Sequence, residues 1–230
     1  MEGLEQKSFT EVPAIINASE SHMALVFLVD TSGSMTGEPI ESLNKGLNRF
    51  KVEVCENKQT KDILDVAIIE FNSNHSVVQE FVPVEYMDEV NLSTTGTTMM
   101  SPAINRALDM VDERSRFYRR SGTEPYKPWV ILITDGEPDS DDDISDVAQR
   151  IKDMEDSGKV SFRSLGVEGY NPKILHELSG EKVIKLIGID FTSFFDWVNK
   201  SMRSVSQSSP GEKPKAEKLT GNVVVDTDWD

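Results

Sequence analysis

Asp30, Thr31, Ser32, Gly33 and Ser34 stand directly after seven uncharged, mostly bulky residues, Met23 to Val29. One carboxylate and two hydroxyls, each two positions apart, place three oxygen donors in a single tight loop. Oxygen donors suit a hard divalent cation such as Mg²⁺, so the loop reads as one part of a metal site. A second acid, Asp135, follows another uncharged run, Trp129 to Thr134. Between the two acids lies Thr94-Thr95-Gly96-Thr97-Thr98-Met99-Met100-Ser101, small hydroxylated residues just ahead of a helical pattern.

Both uncharged runs are strand-sized and apolar at successive positions, the pattern of strands buried on both faces of a helix-covered parallel sheet. Parallel strands carry their C-terminal ends to one edge, which is where open α/β sheets place ligands. Asp30 and Asp135 are therefore expected at one rim. The chain alternates such runs with 3.6-period segments: Ile40, Leu43, Leu47, Phe50 and Val54; Ile104, Ala107, Leu108 and Val111; Ile144, Val147, Ile151 and Met154. This alternation predicts an α/β fold with a doubly wound, mostly parallel six-stranded sheet and helices on both faces. One antiparallel edge strand, Val77 to Val82, is expected after an Asn72-Ser73-Asn74 turn. Ser101 and Pro102 are expected as N-cap and first residue of their helix. Arg114, Arg116, Arg119 and Arg120 are expected to form a solvated face at its far end. Asp139, Asp141, Asp142 and Asp143 are expected to cap and charge the start of the next helix, with tuning of the metal rim or rejection of acidic ligands as the alternative. Further strands are expected near Val160–Val167 and Val183–Ile187, with a short helix after Asn171-Pro172 and a terminal helix lined by Phe194, Phe195, Val198, Met202 and Val205.

With 230 residues, the chain has enough length for one well-filled core plus appendages. The reading divides it into an N-terminal extension (1–21), one domain (22–203) and a flexible C-terminal tail (204–230). A net charge of −16 argues against nucleic acid or an anionic membrane as partner. One cysteine, Cys55, excludes an internal disulfide and a cysteine-based zinc site, and its helical position suggests packing. The first residues show no basic segment followed by an apolar one, and no apolar run approaches the ~20 residues of a membrane span, so a cytoplasmic location is expected. In the tail, Val223-Val224-Val225 could add to a sheet edge. Asp226, Asp228 or Asp230 would then reach a metal in the same or a neighbouring molecule, making the chain a monomer or a weak self-associator.

Asp30-x-Ser32-x-Ser34, a later threonine and Thr134-Asp135-Gly136 resemble the metal-ion-dependent adhesion site of von Willebrand factor A domains, over roughly residues 22–203. The resemblance implies a Rossmann-like fold and a Mg²⁺ site, with Mn²⁺ or Ca²⁺ as alternatives. It implies that Ser32 and Ser34 bind the cation directly and that Asp30 and Asp135 act mainly through water. The family's third segment reads Gly-Gly-Thr-x-Leu-x-x-Ala. Thr98-Met99-Met100-Ser101-Pro102-Ala103 fits that spacing best, with Thr97 in place of the second glycine; Thr97 stays open as the alternative ligand. Neutral hydroxyls leave most of the cation's charge uncompensated, so an open position prefers an anionic oxygen. The implied function is a metal-dependent protein–protein interaction module, an adaptor or scaffold that docks an Asp or Glu of its partner. Thr134-Asp135-Gly136-Glu137-Pro138 and the Ser-Pro-Ala helix start resemble the bacterial TerY-type group linked to tellurium resistance and stress. That group is associated with a protein kinase and a PP2C-type phosphatase.

Two other readings start from the same residues. Asp30 to Ser34 could be a simple strand-to-helix turn, with Ser34 and Thr36 capping the helix and Gly33 at positive φ. An acid after the first strand also fits a metal-dependent hydrolase or phosphotransfer enzyme, but Ser32 stands where an aspartyl phosphatase has its second acid. An aspartic protease would need Asp-Thr-Gly or Asp-Ser-Gly, and no glycine-rich phosphate cradle follows a strand. His22, His75 and His176 are scattered, no nucleophile–base pair emerges, and the reading is non-enzymatic.

Overall fold

β1 (Met23–Asp30) is buried along its whole length, which explains why its sequence lacks the polar alternation of a half-exposed strand. The structure, a computed structural model, describes residues 20–215 and 217–226. After β1 come α1 (Glu38–Cys55), α2 (Lys58–Ile63), β2 (Leu64–Phe71), β3 (His75–Pro83) and α3 (Met100–Arg120). The second half contributes β4 (Trp129–Thr134), α4 (Ser145–Asp156), β5 (Ser161–Gly166), α5 (Pro172–Ser179), β6 (Val183–Leu186), α6 (Thr192–Ser206) and β7 (Val223–Val225).

The strands form one sheet in the order β3-β2-β1-β4-β5-β6-β7. β1 pairs in parallel with both β2 and β4, so the chain winds outward in opposite directions from that junction. This is a topological switch point, and crevices of open α/β sheets form there. Alternate β1 side chains feed two cores. Leu25, Phe27 and Val29 pack with Leu43, Phe50, Phe194 and Phe195 from α1 and α6. Ala24, Val26 and Leu28 pack with Ile104, Leu108 and Val111 from α3.

The sheet has seven strands, not six, because β7 pairs antiparallel with β6 and makes a second antiparallel edge. The stretch expected as a flexible tail is thereby held to the domain over its described part. Tyr126 Oη donates to the Ser208 carbonyl (2.8 Å), Trp197 Nε1 to the Glu217 carbonyl (3.1 Å) and Tyr170 Oη to Asp226 (2.7 Å). Leu219 packs on the core, and the unpaired edge of β6 supplies the backbone partners that a Ser-, Lys- and Glu-rich composition does not reveal. Asp228 and Asp230 lie outside the described residues, as do residues 1–19 of the N-terminal extension.

Of the arginines expected on a solvated face, Arg116, Arg119 and Arg120 are exposed, and Arg114 departs from the expectation. Arg114 is 4% exposed, inside the second core, where its guanidinium donates to Asp65 (2.6 Å) at the start of β2. Tyr118 Oη donates to the same carboxylate, and Phe117 lies 4.9 Å beneath the guanidinium carbon. A helix position three turns into an apolar stripe can bury an arginine only because a buried acid waits opposite.

Candidate metal centre

Asp30 ends β1 and Asp135 follows β4 directly, and the parallel β1–β4 pairing brings both to the rim at the switch point. Asp30 is fully buried. Its Oδ1 accepts from the Ser32 N–H (2.8 Å), and its Oδ2 accepts from Thr134 Oγ1 (2.6 Å). Ser32 Oγ lies 3.0 Å from Ser34 Oγ, and Ser34 Oγ donates to Asp135 Oδ1 (2.7 Å). The loop after β1 thus folds back across the end of β4. Ser34 is exposed while Ser32 and Asp135 are largely buried, so the cluster has a dry floor and an open mouth.

The third segment arrives by backbone pairing. Thr95 N–H donates to the Thr31 carbonyl (2.8 Å), Gly33 N–H to the Gly96 carbonyl (3.1 Å), and Met99 N–H to the Asn72 carbonyl (2.8 Å). Gly96 holds φ at +71°, and a Cβ there would sit 2.4 Å from Ser73 Oγ. Only glycine fits both requirements. Thr97 turns toward Ser73, its hydroxyl 3.0 Å from that Oγ, whereas Thr98 is 6% exposed and turns inward. Thr98 Oγ1 and Asp30 Oδ2 both lie within 3.6 Å of the point where a Cβ on Gly136 would stand. The absent side chain at Gly136 leaves a gap between them. The structure therefore gathers Asp30, Ser32, Ser34, Thr98 and Asp135, and leaves Thr97 outside.

Asp139 and Asp142 serve the rim loop, the alternative role, and not the start of the next helix. Asp139 exchanges bonds with Thr98: its carboxylate accepts the Thr98 N–H (3.2 Å) and its own N–H donates to the Thr98 carbonyl (2.9 Å). Asp142 accepts from the N–H groups of Met100 (2.5 Å) and Ser101 (3.1 Å), the first turn of α3. The cap of α3 is therefore supplied by a distant loop, and the helix starts at Met100 instead of Pro102. Only Asp143, which accepts from the Ser145 N–H (2.9 Å), serves the next helix as expected. No local signal marks a cap that comes from 42 positions away. Nor do Ser34 and Thr36 cap α1: Gly37 precedes that helix at φ +89°, without a side-chain cap.

Two neighbouring acids set the electrostatics of the cluster. Loss of hydration pushes Asp30 from 3.8 up to about 6, against the lowering effect of its Ser32 and Thr134 bonds, and the Asp135 charge adds to the rise. Burial also raises Asp135, partly offset by Ser34. Among the described residues no group of three or more His, Cys, Asp or Glu gathers as a metal cluster. The donors here are two carboxylates and three hydroxyls, an oxygen set that suits a hard cation. A cation there would reverse the pKa rise of both acids.

The von Willebrand factor type A domain model matches residues 24–196, and the chain belongs to that family. A search of curated proteins finds no match. Among solved structures, a von Willebrand factor type A protein from Catenulispora acidiphila superposes with TM-score 0.61 at 18% identity, covering 80% of this chain and 43% of that one. The von Willebrand domain of the type V pili tip protein Mfa5 from Porphyromonas gingivalis gives 0.61 at 9% identity, covering 84% and 99%. Proximal thread matrix protein 1 from the mussel byssus, solved with a zinc-occupied MIDAS motif, gives 0.53 at 21% identity, covering 84% and 46%. The chain spans under half the length of the first structures it matches. These likenesses establish the fold. No helix among the described residues is long and apolar enough to cross a membrane.

Proposed function

We propose that this chain is a divalent-cation-dependent protein-binding module, an adaptor or scaffold. Asp30, Ser32, Ser34, Thr98 and Asp135 would hold Mg²⁺, or Mn²⁺ or Ca²⁺ in its place. The bound ion would supply an electrophilic position for a carboxylate oxygen of a partner protein. The observation that carries the reading is the buried Asp30 carboxylate beside Asp135, satisfied only by neutral donors. Two acids in that setting are a cation site or a standing penalty. Von Willebrand A domains typically serve as non-enzymatic interaction modules, and the mussel relative's zinc-occupied motif supports divalent metal binding here.

Each residue has a definite task in this reading. Thr134 and the Ser32 N–H orient Asp30; Ser34 ties the loop to Asp135; Gly96 and Asp139 set the height of Thr98; Gly136 keeps the gap open. The partner presents an Asp or Glu, and the cellular setting is a cytoplasmic bacterial stress or tellurium-resistance system of TerY type, with a kinase or PP2C-type phosphatase. Mn²⁺ binding followed by electron paramagnetic resonance tests the centre directly. Binding by the native chain and its loss in Asp30→Ala and Ser34→Ala are expected. Equal Mn²⁺ affinity in all three would end the proposal. Capture of a Glu-containing peptide that withstands EDTA would remove the bridging role.

A further inference from the structure

Toward the opposite end of the strands, a cleft of about 560 Å³ opens between α6, β6, β7 and the chain leading into β7. Its deep cation is Arg163 on β5. The guanidinium carbon lies 4.2 Å from the Trp129 ring centre and 5.6 Å from that of Trp197. Trp197 is itself fixed by its bond to the Glu217 carbonyl. Arg163 Nε is buried and has no hydrogen-bond acceptor, and among the described residues no carboxylate forms an ion pair with this arginine. Glu155, whose charge acts on it, is taken up by Lys182 and by the Phe162 N–H. Burial pulls the guanidinium down from its ordinary value.

Stacking on two indoles compensates a desolvated guanidinium only in part, because cation–π attraction supplies no acceptors for its N–H groups. An acceptor from outside would complete it. The walls of the cleft are apolar over Ile184, Leu219, Val223 and Val225, and the volume falls within the range of small-molecule pockets, about 300–1,000 Å³. Glu181, Lys182, Glu217 and Lys218 also line it; Lys182 is paired with Glu155 and the others stand around the mouth with mixed charge, so the unpaired arginine decides the sign of what enters.

We propose that this cleft binds a small organic carboxylate with an apolar body, its head group held by Arg163 and its body lying on Ile184, Leu219 and Val223. The rigid guanidinium fork matches a planar carboxylate through two parallel N–H···O bonds, and the Trp129 and Trp197 rings beside it hold the guanidinium at the cleft. One cation without a carboxylate partner, Arg163, beside apolar walls fits a monoanion and disfavours bare phosphate; Lys182 is already neutralised by Glu155. Because β7 forms one wall, occupancy would also fasten the β6–β7 edge. The inference is independent of the metal centre.

Hexanoate is a suitable probe, with hexanamide as the uncharged isostere and inorganic phosphate as the anion lacking a body. The readout is the indole N–H resonance of Trp197 in ¹⁵N-labelled full-length protein. Hexanoate is expected to shift that resonance saturably, with hexanamide and phosphate each at least about tenfold weaker. Arg163→Met should weaken hexanoate by a similar factor. Arg163→Lys, which keeps the charge and loses the fork, should recover only part. A lack of saturation by hexanoate, or hexanamide or phosphate binding equally well, would overturn the assignment without any variant. An unchanged response in folded Arg163→Met would do the same.

Discussion

Asp30→Asn should make the metal-free protein more stable while abolishing its response to metal. The carboxyl's folded value of about 6, against 3.8, means that the folded state binds its proton more tightly than the unfolded chain does. The stabilising contribution is therefore fully present below 3.8 and is lost as pH rises through about 6. Above that, two pKa units correspond to roughly 3 kcal/mol of penalty for holding the charge. Asparagine carries no charge to hold and keeps the bonding pattern: its carbonyl can accept the Ser32 N–H, and its amide can donate to Thr134 Oγ1. Urea denaturation in EDTA at about pH 8 should show the variant more stable by up to about 3 kcal/mol, with the gap closing toward about pH 4. Added Mg²⁺ at a hundred times its dissociation constant should raise the native protein by about 2.7 kcal/mol and leave the variant unmoved, so that the difference largely disappears. A variant less stable than the native protein in EDTA at about pH 8 refutes the electrostatic reasoning. One that gains equally from Mg²⁺ refutes the role of Asp30 in holding the ion.

Arg114→Ala should lose about 3–5 kcal/mol in the same denaturation assay, because it leaves Asp65 charged and buried beside Tyr118. Asp142→Ala should lose about 1–2 kcal/mol as the first N–H groups of α3 go unpaired, and Mn²⁺ resonance should show weaker binding through the displaced Thr98 loop. Gly96→Val should lose about 1–3 kcal/mol, since both φ and Ser73 oppose a side chain there; equal stability would show that the loop has another route across Thr31. Truncation after Ser206 should lower the melting temperature and open the β6 edge to hydrogen exchange at Ile187, whose N–H donates to the Asn222 carbonyl, and at Lys185, which faces Val224 on β7.

How much of this was legible beforehand follows from the range of each interaction. Strands β1 and β4 announce themselves because burial on both faces demands apolar residues at every position, and that demand is local. The acids at their ends meet because parallel pairing carries strand ends to one edge, so the core of the candidate site could be read from two short segments and the order between them. The threonine assignment could not. Thr97 and Thr98 are equivalent in composition, and only the positive φ of Gly96, with Ser73 beside it, turns one outward and the other in. The same holds for Asp142, whose capping partners lie 42 residues upstream, and for Arg114, whose burial depends on Asp65. It holds as well for Val223 to Val225, short and flanked by acids, which become a strand because β6 offers an open row of backbone donors and acceptors. Periodicity records which face of an element meets water. Partners distant in sequence are chosen only when the sheet closes around them.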